Sequence, residues 1–328
     1  MIFIKSLSSL PPSYLPITLI SLGTLGVTLT TAVYVFKRHF RPEPNRYILI
    51  SLPYSHYVEL ARWSLSLAPG DDQRPSYSEI KFPIGPHTIF VPIFRLAFGG
   101  TESTSSVPGL SSNIPFSPFQ LQPKFFRKLM GLPFTIGHSK SYSDSWSTLE
   151  IANLSIDDNF KHMLDDVLGP AVRQVAYTEI FAENMYFYRE IQPGVSPQRG
   201  MKFMMFLHDI FENCFKVTSV MRSLMALNDE QASLSSSRII ECLKKVDGIL
   251  TDHSFLGSRS GSDSFGGADL AFSAIAAWVV LPVNPGGGEI KMHLLNEKHF
   301  GPKFIAFRER IKSHKAFQHV AYCYKDHR

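Results

Sequence analysis

The turn running from Ser51 through Leu52, Pro53, Tyr54 and Ser55 is the stretch of this 328-residue sequence best placed to do chemistry. It joins a short apolar run, Tyr47 to Ile50, to a segment from His56 that sets Val58, Leu60, Ala61, Leu65 and Ala68 on one helical stripe. A helix N-terminus carries about half a positive charge and N–H groups without helical acceptors, so a turn feeding it can hold and stabilise a thiolate. Other arrangements offer less. Cys214, Cys242 and Cys323 are too far apart for CxxC chemistry and odd in number, which argues against a disulfide-stapled secreted scaffold and fits free thiols in a reducing compartment. The 12 histidines include no HExxH or paired ligand spacing, so no metal is expected. Gly286 to Gly288 lack a following Lys-Ser/Thr and read as a loop, and the Met/Phe-rich run from Lys202 to Phe211 reads as core. A net charge of +5 over this length, without a basic run interleaved with aromatics, excludes a nucleic-acid binder.

The elements that must position the turn can be read around it. Tyr47 to Ile50 suits a buried strand and His56 to Ala68 a helix, and Tyr77 to Phe82 alternates apolar and polar residues like a second strand. From about 85 to 130 the periodicity dissolves into a Pro/Ser/Gly-rich insertion. Pro133 to Ile136 and Ser141 to Ser143 read as two further strands around a turn at 137–140. Asp144 then caps a helix, DSWSTLEIA. After Asp157 strand signals nearly vanish, and helical stripes run through 160–185, 202–227, 237–250 and 268–281. The fold class expected is an α/β domain at 47–155 followed by an all-helical domain at 156–328.

Upstream of both, Tyr14 to Phe36 carries no charged residue. As a helix these residues span about 34 Å, enough to cross a bilayer core of about 30 Å. Lys37, Arg38 and Arg41 follow at once, and the positive-inside rule then leaves the rest of the chain in the cytosol. The expectation is a short tail at 1–13, one transmembrane helix at 14–36 and a basic, Pro-containing linker at 37–46. The endoplasmic reticulum and the mitochondrial outer membrane are the membranes expected.

Three stretches in order carry a family likeness: ILISLPYSHYVELARW from Ile48, LPFTIGHSKSYSDSWSTLEIA from Leu132, and FLGSRSGSDSFGGADLAFSAIAAWVVLP from Phe255. Together they resemble the soluble glutathione transferase superfamily, a thioredoxin-like domain followed by a helical bundle. The likeness covers about Tyr47 to the C-terminus, with the insertion excepted. It implies glutathione as co-substrate, an apolar electrophile or peroxide as acceptor, no metal, and the homodimer usual in that family. The family sets a Ser, Tyr or Cys at the end of the first strand to hydrogen-bond the glutathione sulfur, but Leu52 stands there. Catalysis would then rest on Ser51, Ser55 or Tyr54. Ser51 comes first because an S-x-P turn resembles that of theta-like members, and Ser55, near the helix N-terminus, comes second. The alternative is that all three are only turn and capping residues.

By the same resemblance Asp144 and Ser145 bind the γ-glutamyl ammonium and carboxylate, chemistry that suits a helix N-terminus with a hydroxyl and an aspartate. Pro133 would be the cis-proline, with the Leu132 backbone facing the cysteinyl part, and Val107 with Pro108 is the other choice. Asp269 resembles the capping aspartate of a buried helix and is expected to contribute about 0.5–2 kcal/mol, as caps do. Tyr177, Tyr186 and Tyr188 could reach an acceptor pocket. The competing expectation, drawn from Leu52 and the insertion, is an inactive transferase-like adaptor at an organelle surface. A third, an isomerase or thiol oxidoreductase resembling membrane-anchored prostaglandin synthases, lacks the C-P-x-C turn of those proteins.

Overall fold

The computed structural model describes residues 46–51, 55–68, 77–81, 134–136, 141–142, 144–180, 210, 213–214, 216, 219, 222–223, 225–257, 264–282 and 300–328. The expected span at 14–36 and the insertion at 85–130 lie outside the described residues. Among the described residues, no helix is long and apolar enough to cross a membrane.

Four short strands form one sheet in the order β2-β1-β3-β4, with β1 at Tyr47–Ser51, β2 at Tyr77–Lys81, β3 at Phe134–Ile136 and β4 at Ser141–Tyr142. β1 and β2 run parallel, whereas β3 pairs antiparallel with both β1 and β4. A parallel pair cannot be closed by a hairpin, so the chain must cross the sheet between β1 and β2. The crossover is helix α1, His56–Ser66. This is the thioredoxin-like arrangement expected from the sequence.

α1 is buried on both sides. Val58, Ala61 and Leu65 pack with Leu49 of β1 and with Ile151, while Leu60 and Trp63 belong to the core of the helical half. Leu49 faces Thr135 across the β1–β3 ladder, so both side chains point into the layer beneath α1. The Thr135 hydroxyl is fully buried there and has no hydrogen-bond partner among the described residues. An unmet buried hydroxyl costs about 1–3 kcal/mol, so Thr135→Val should raise stability by about 1 kcal/mol in urea unfolding. Equal or lower stability would contradict that reading of the layer.

The helix expected from Asp144 is shorter than its sequence pattern suggested. It is a 3-10 segment, Ser147–Glu150, after which Asn153 turns the chain at φ 54. Asn tolerates the left-handed region, so one turn is all that forms. In the helical half, Asp157 caps α2 (Asp158–His162) by accepting from the Phe160 amide at 3.0 Å. A π segment, Met163–Leu168, then leads into α3, Gly169–Ile180. Pro170 explains the wider turn, because it has no N–H to donate and its ring clashes with the carbonyl four residues back. In five-residue spacing the donor to the Asp165 carbonyl would be Pro170 itself. Tyr57 of α1 donates its hydroxyl there instead, at 3.2 Å.

α4 (Asp229–Asp252), α5 (Gly267–Val280), α6 (Pro302–Ile311) and α7 (Lys315–Asp326) complete the described helices. Every residue of α5 is buried, as a helix apolar all round requires. At its start a β-carbon on Gly267 would come within 2.3 Å of the Ser155 carbonyl oxygen, so only glycine lets the segment joining the two halves pass this close. At its end, Arg308 donates Nε to the Val280 carbonyl at 2.9 Å and satisfies one of the helix's orphan acceptors.

Candidate functional site

Ser55 is the N-cap residue of α1, with extended backbone at φ −93 and ψ 125. Its carbonyl accepts from the amides of Val58 and Glu59 at 3.0 and 3.1 Å, while its side chain makes no capping bond. The half-buried hydroxyl therefore stands at the positive end of an 11-residue helix without a capping duty. Ser51, at the end of β1, is in a different situation. It is fully buried, and its hydroxyl donates to Oε1 of Glu79 on β2.

The other half of the expected site lies beside α1. Asp144 is exposed and accepts from the Ser147 amide at 2.7 Å, so it does cap the turn that follows. Ser145 is buried, and its carbonyl accepts from the Thr148 hydroxyl at 2.5 Å. The next residue, Trp146, meets Tyr57 edge-on with ring centroids 6.4 Å apart, and the Lys161 ammonium lies 5.6 Å from the Trp146 ring. This ring contact joins α1 to the segment that begins at Asp144 and Ser145. Leu52, Tyr54, Leu132, Pro133, Val107 and Pro108 lie outside the described residues, as do Tyr186 and Tyr188. Tyr177, partly buried against the core, packs edge-on against Trp278 of α5 at 5.6 Å, and burial pushes its hydroxyl up to about 12, so it stays protonated near neutral pH.

Behind the site is a group of charges that the sequence reading passed over. Glu59 and Arg62 pair along α1 at 3.4 Å, and Arg62 also reaches Glu79 at 2.6 Å. Arg328 closes the group, with Nε 3.2 Å from Glu59, Nη1 donating to Ser66 at 2.9 Å, and its guanidinium over the Trp63 ring. The Glu59 side chain is wholly buried and that of Arg328 is 7% exposed. Burial opposes the charge on Arg62, yet Glu79 and then Glu59 outweigh it and hold the guanidinium above its ordinary range. Burial, and then Glu59, likewise raises the Tyr324 hydroxyl well above its usual value. The available signal was a Glu and an Arg three apart on a helix with no other Asp, Glu, Lys or Arg.

No family model matches the chain. No curated protein matches it. Solved structures similar to it include glutathione transferases. One from Populus trichocarpa is 14% identical, with a TM-score of 0.36 over 84% of this chain and 98% of that one. Another, from Phanerochaete chrysosporium with oxidized glutathione, is 9% identical, with a TM-score of 0.37 over 86% and 96%. A third, from Methylobacillus flagellatus kt with glutathione bound, is 12% identical, with a TM-score of 0.33 over 84% and 98%.

Asp269 does more than cap. Its Oδ2 accepts from the Gly266 amide at 3.0 Å, its Oδ1 from the Leu256 amide at 2.8 Å, and Nε2 of His319 on α7 lies 2.8 Å from the same Oδ1. Cys323 sits behind, its sulfur 3.4 Å from that nitrogen. Among the described residues no group of three His, Cys, Asp or Glu could hold a metal ion.

Burial pushes the Cys323 thiol up to about 12 and the Cys242 thiol up to about 11, so both stay protonated below those values. At pH 8 the thiolate, which is the reactive form, is then about one part in a thousand or less of either. Iodoacetamide treatment of the folded protein at that pH should alkylate exposed Cys214 and spare the other two, as read by peptide mass spectrometry. Prompt labelling of Cys323 would contradict its burial.

Proposed function

We propose that this protein binds glutathione where β1 feeds α1 and uses the thiolate to attack an apolar electrophile or to reduce a peroxide. The observation that carries this is the Ser55 side chain at the N-terminus of α1 without a capping bond, and the Tyr57–Trp146 contact, which joins α1 to the segment that begins at Asp144 and Ser145, supports it. The α1 dipole favours the thiolate, and the Ser55 hydroxyl donates a hydrogen bond to its sulfur. The exposed Asp144 carboxylate answers the γ-glutamyl ammonium. Ser51 supports the sheet through Glu79 rather than meeting the sulfur. Anchoring through residues 14–36, with the folded domains in the cytosol at the endoplasmic reticulum or mitochondrial outer membrane, would suit acceptors that partition into lipid. Resistance of the full chain to carbonate extraction tests that part.

The second reading is a catalytically inactive adaptor, favoured by Leu52 at the usual sulfur-binding position and by the burial of Ser51. Calorimetric titration of glutathione into the full chain separates the two. Binding at or below millimolar concentration, weakened about tenfold or more by Asp144→Ala, supports the enzyme. Absence of heat at millimolar glutathione supports the adaptor.

A further inference from the structure

Glu59 is a buried carboxylate in the first turn of α1, about 6 Å along the axis from Ser55 at 1.5 Å per residue. Left alone, its negative charge would oppose formation of any thiolate at that helix end. It is not left alone. Arg62 meets Oε2 at 3.4 Å, and Arg328, 269 positions away in sequence, meets Oε1 at 3.2 Å. Arg62 is shared with Glu79, which it contacts through both Nε and Nη2. The four side chains carry two charges of each sign, and Arg328 is one of the two cations in contact with Glu59. The seat of Arg328 is specific: Trp63 donates Nε1 to the His327 carbonyl at 3.2 Å, and His327 stacks on Phe265 with centroids 4.4 Å apart.

We propose that Arg328 is an electrostatic positioning residue for the thiolate site, cancelling Glu59 so that a glutathione thiolate can form at the N-terminus of α1. It deepens the glutathione-binding reading and rests on it. Other ionisable groups on α1 and on the elements packed around it include His56, Tyr77, Asp144, Glu150, Lys161, Asp165, Asp166, Asp269, Tyr324 and His327. Of these, Tyr324 also touches Glu59, its hydroxyl donating to Oε1 at 3.4 Å. A neutral phenol cannot take over the charge of Arg328.

The test is the pH midpoint for ionisation of bound glutathione, followed by the ultraviolet absorbance of the thiolate. It is measured on the full chain as wild type, Arg328→Ala, Arg328→Lys, Glu59→Gln and the Arg328→Ala/Glu59→Gln pair. Arg328→Ala should move the midpoint up by about one pH unit, the effect of one uncancelled charge near 10 Å in a partly buried setting. Glu59→Gln should move it down, Arg328→Lys should stay near wild type, and the pair should return to within a few tenths of wild type. A residue acting through packing alone would not be restored by a second lesion, so a pair as displaced as Arg328→Ala overturns the proposal. Should wild-type protein bind no glutathione, the functional reading fails by itself. Charge cancellation is then read from unfolding, where it predicts about tenfold non-additivity between the two substitutions, and additive effects overturn it.

Discussion

Ser55→Ala is expected to lower turnover of glutathione with a generic electrophile by about a hundredfold while leaving the protein folded. In the function proposed above the hydroxyl is one preorganised donor to the thiolate, and loss of one such donor costs about 10²–10³ in rate. Its side chain makes no capping bond, so stability should change little. Ser51→Ala should do the reverse. It removes the hydroxyl given to Glu79 in a fully buried position, so it should lower the unfolding midpoint and leave the rate per folded molecule nearly unchanged. Steady-state kinetics beside urea unfolding for both variants is the measurement. Loss of rate in Ser51→Ala with full rate in Ser55→Ala would exchange the roles assigned here.

Asp269→Ala is expected to destabilise the fold by about 3–5 kcal/mol, well beyond the 0.5–2 kcal/mol of a surface cap. Its carboxylate is wholly buried and meets the Gly266 amide, the Leu256 amide and His319, which belong to three separate parts of the helical half. Each loses its partner at once, and an unmet buried polar group costs about 1–3 kcal/mol. For a chain this size the thermal midpoint should fall by roughly 4–7 °C, followed by circular dichroism. A fall of only about 1 °C would mean that His319 and Leu256 find other partners and that the residue is a simple cap.

Much of this was legible in the sequence because the signals were local. The β1–turn–α1 unit and the two central strands follow from periodicity within a few residues, and the capping role of Asp269 from the family resemblance. The length of the Asp144 segment was not legible, since a capping aspartate marks where a helix starts but not that Asn153 will turn it out after one 3-10 turn. The helical stripe at 160–185 ran straight through Pro170, so the π segment before it was not expected. That Tyr57 would supply the donor for Asp165 depends on how the two halves dock, a distance of 108 positions. The same limit hid the charge group. Glu59 and Arg62 on a helix read as an ordinary solvated pair until the second layer on α1 buries them, and nothing near Arg328 in sequence points to Glu59. That the Ser51 hydroxyl would be taken up by Glu79 was not legible either, since the side of Glu79 in the strand YSEIK could be counted but its partner could not.

The central claim is that the N-terminus of α1 stabilises a glutathione thiolate through Ser55. The ultraviolet difference spectrum of the full chain mixed with glutathione near pH 7 tests it most directly. The account predicts a thiolate band in the wild type and in Ser51→Ala that is lost in Ser55→Ala. A band of equal strength in Ser55→Ala, or none in the wild type at saturating glutathione, would contradict it.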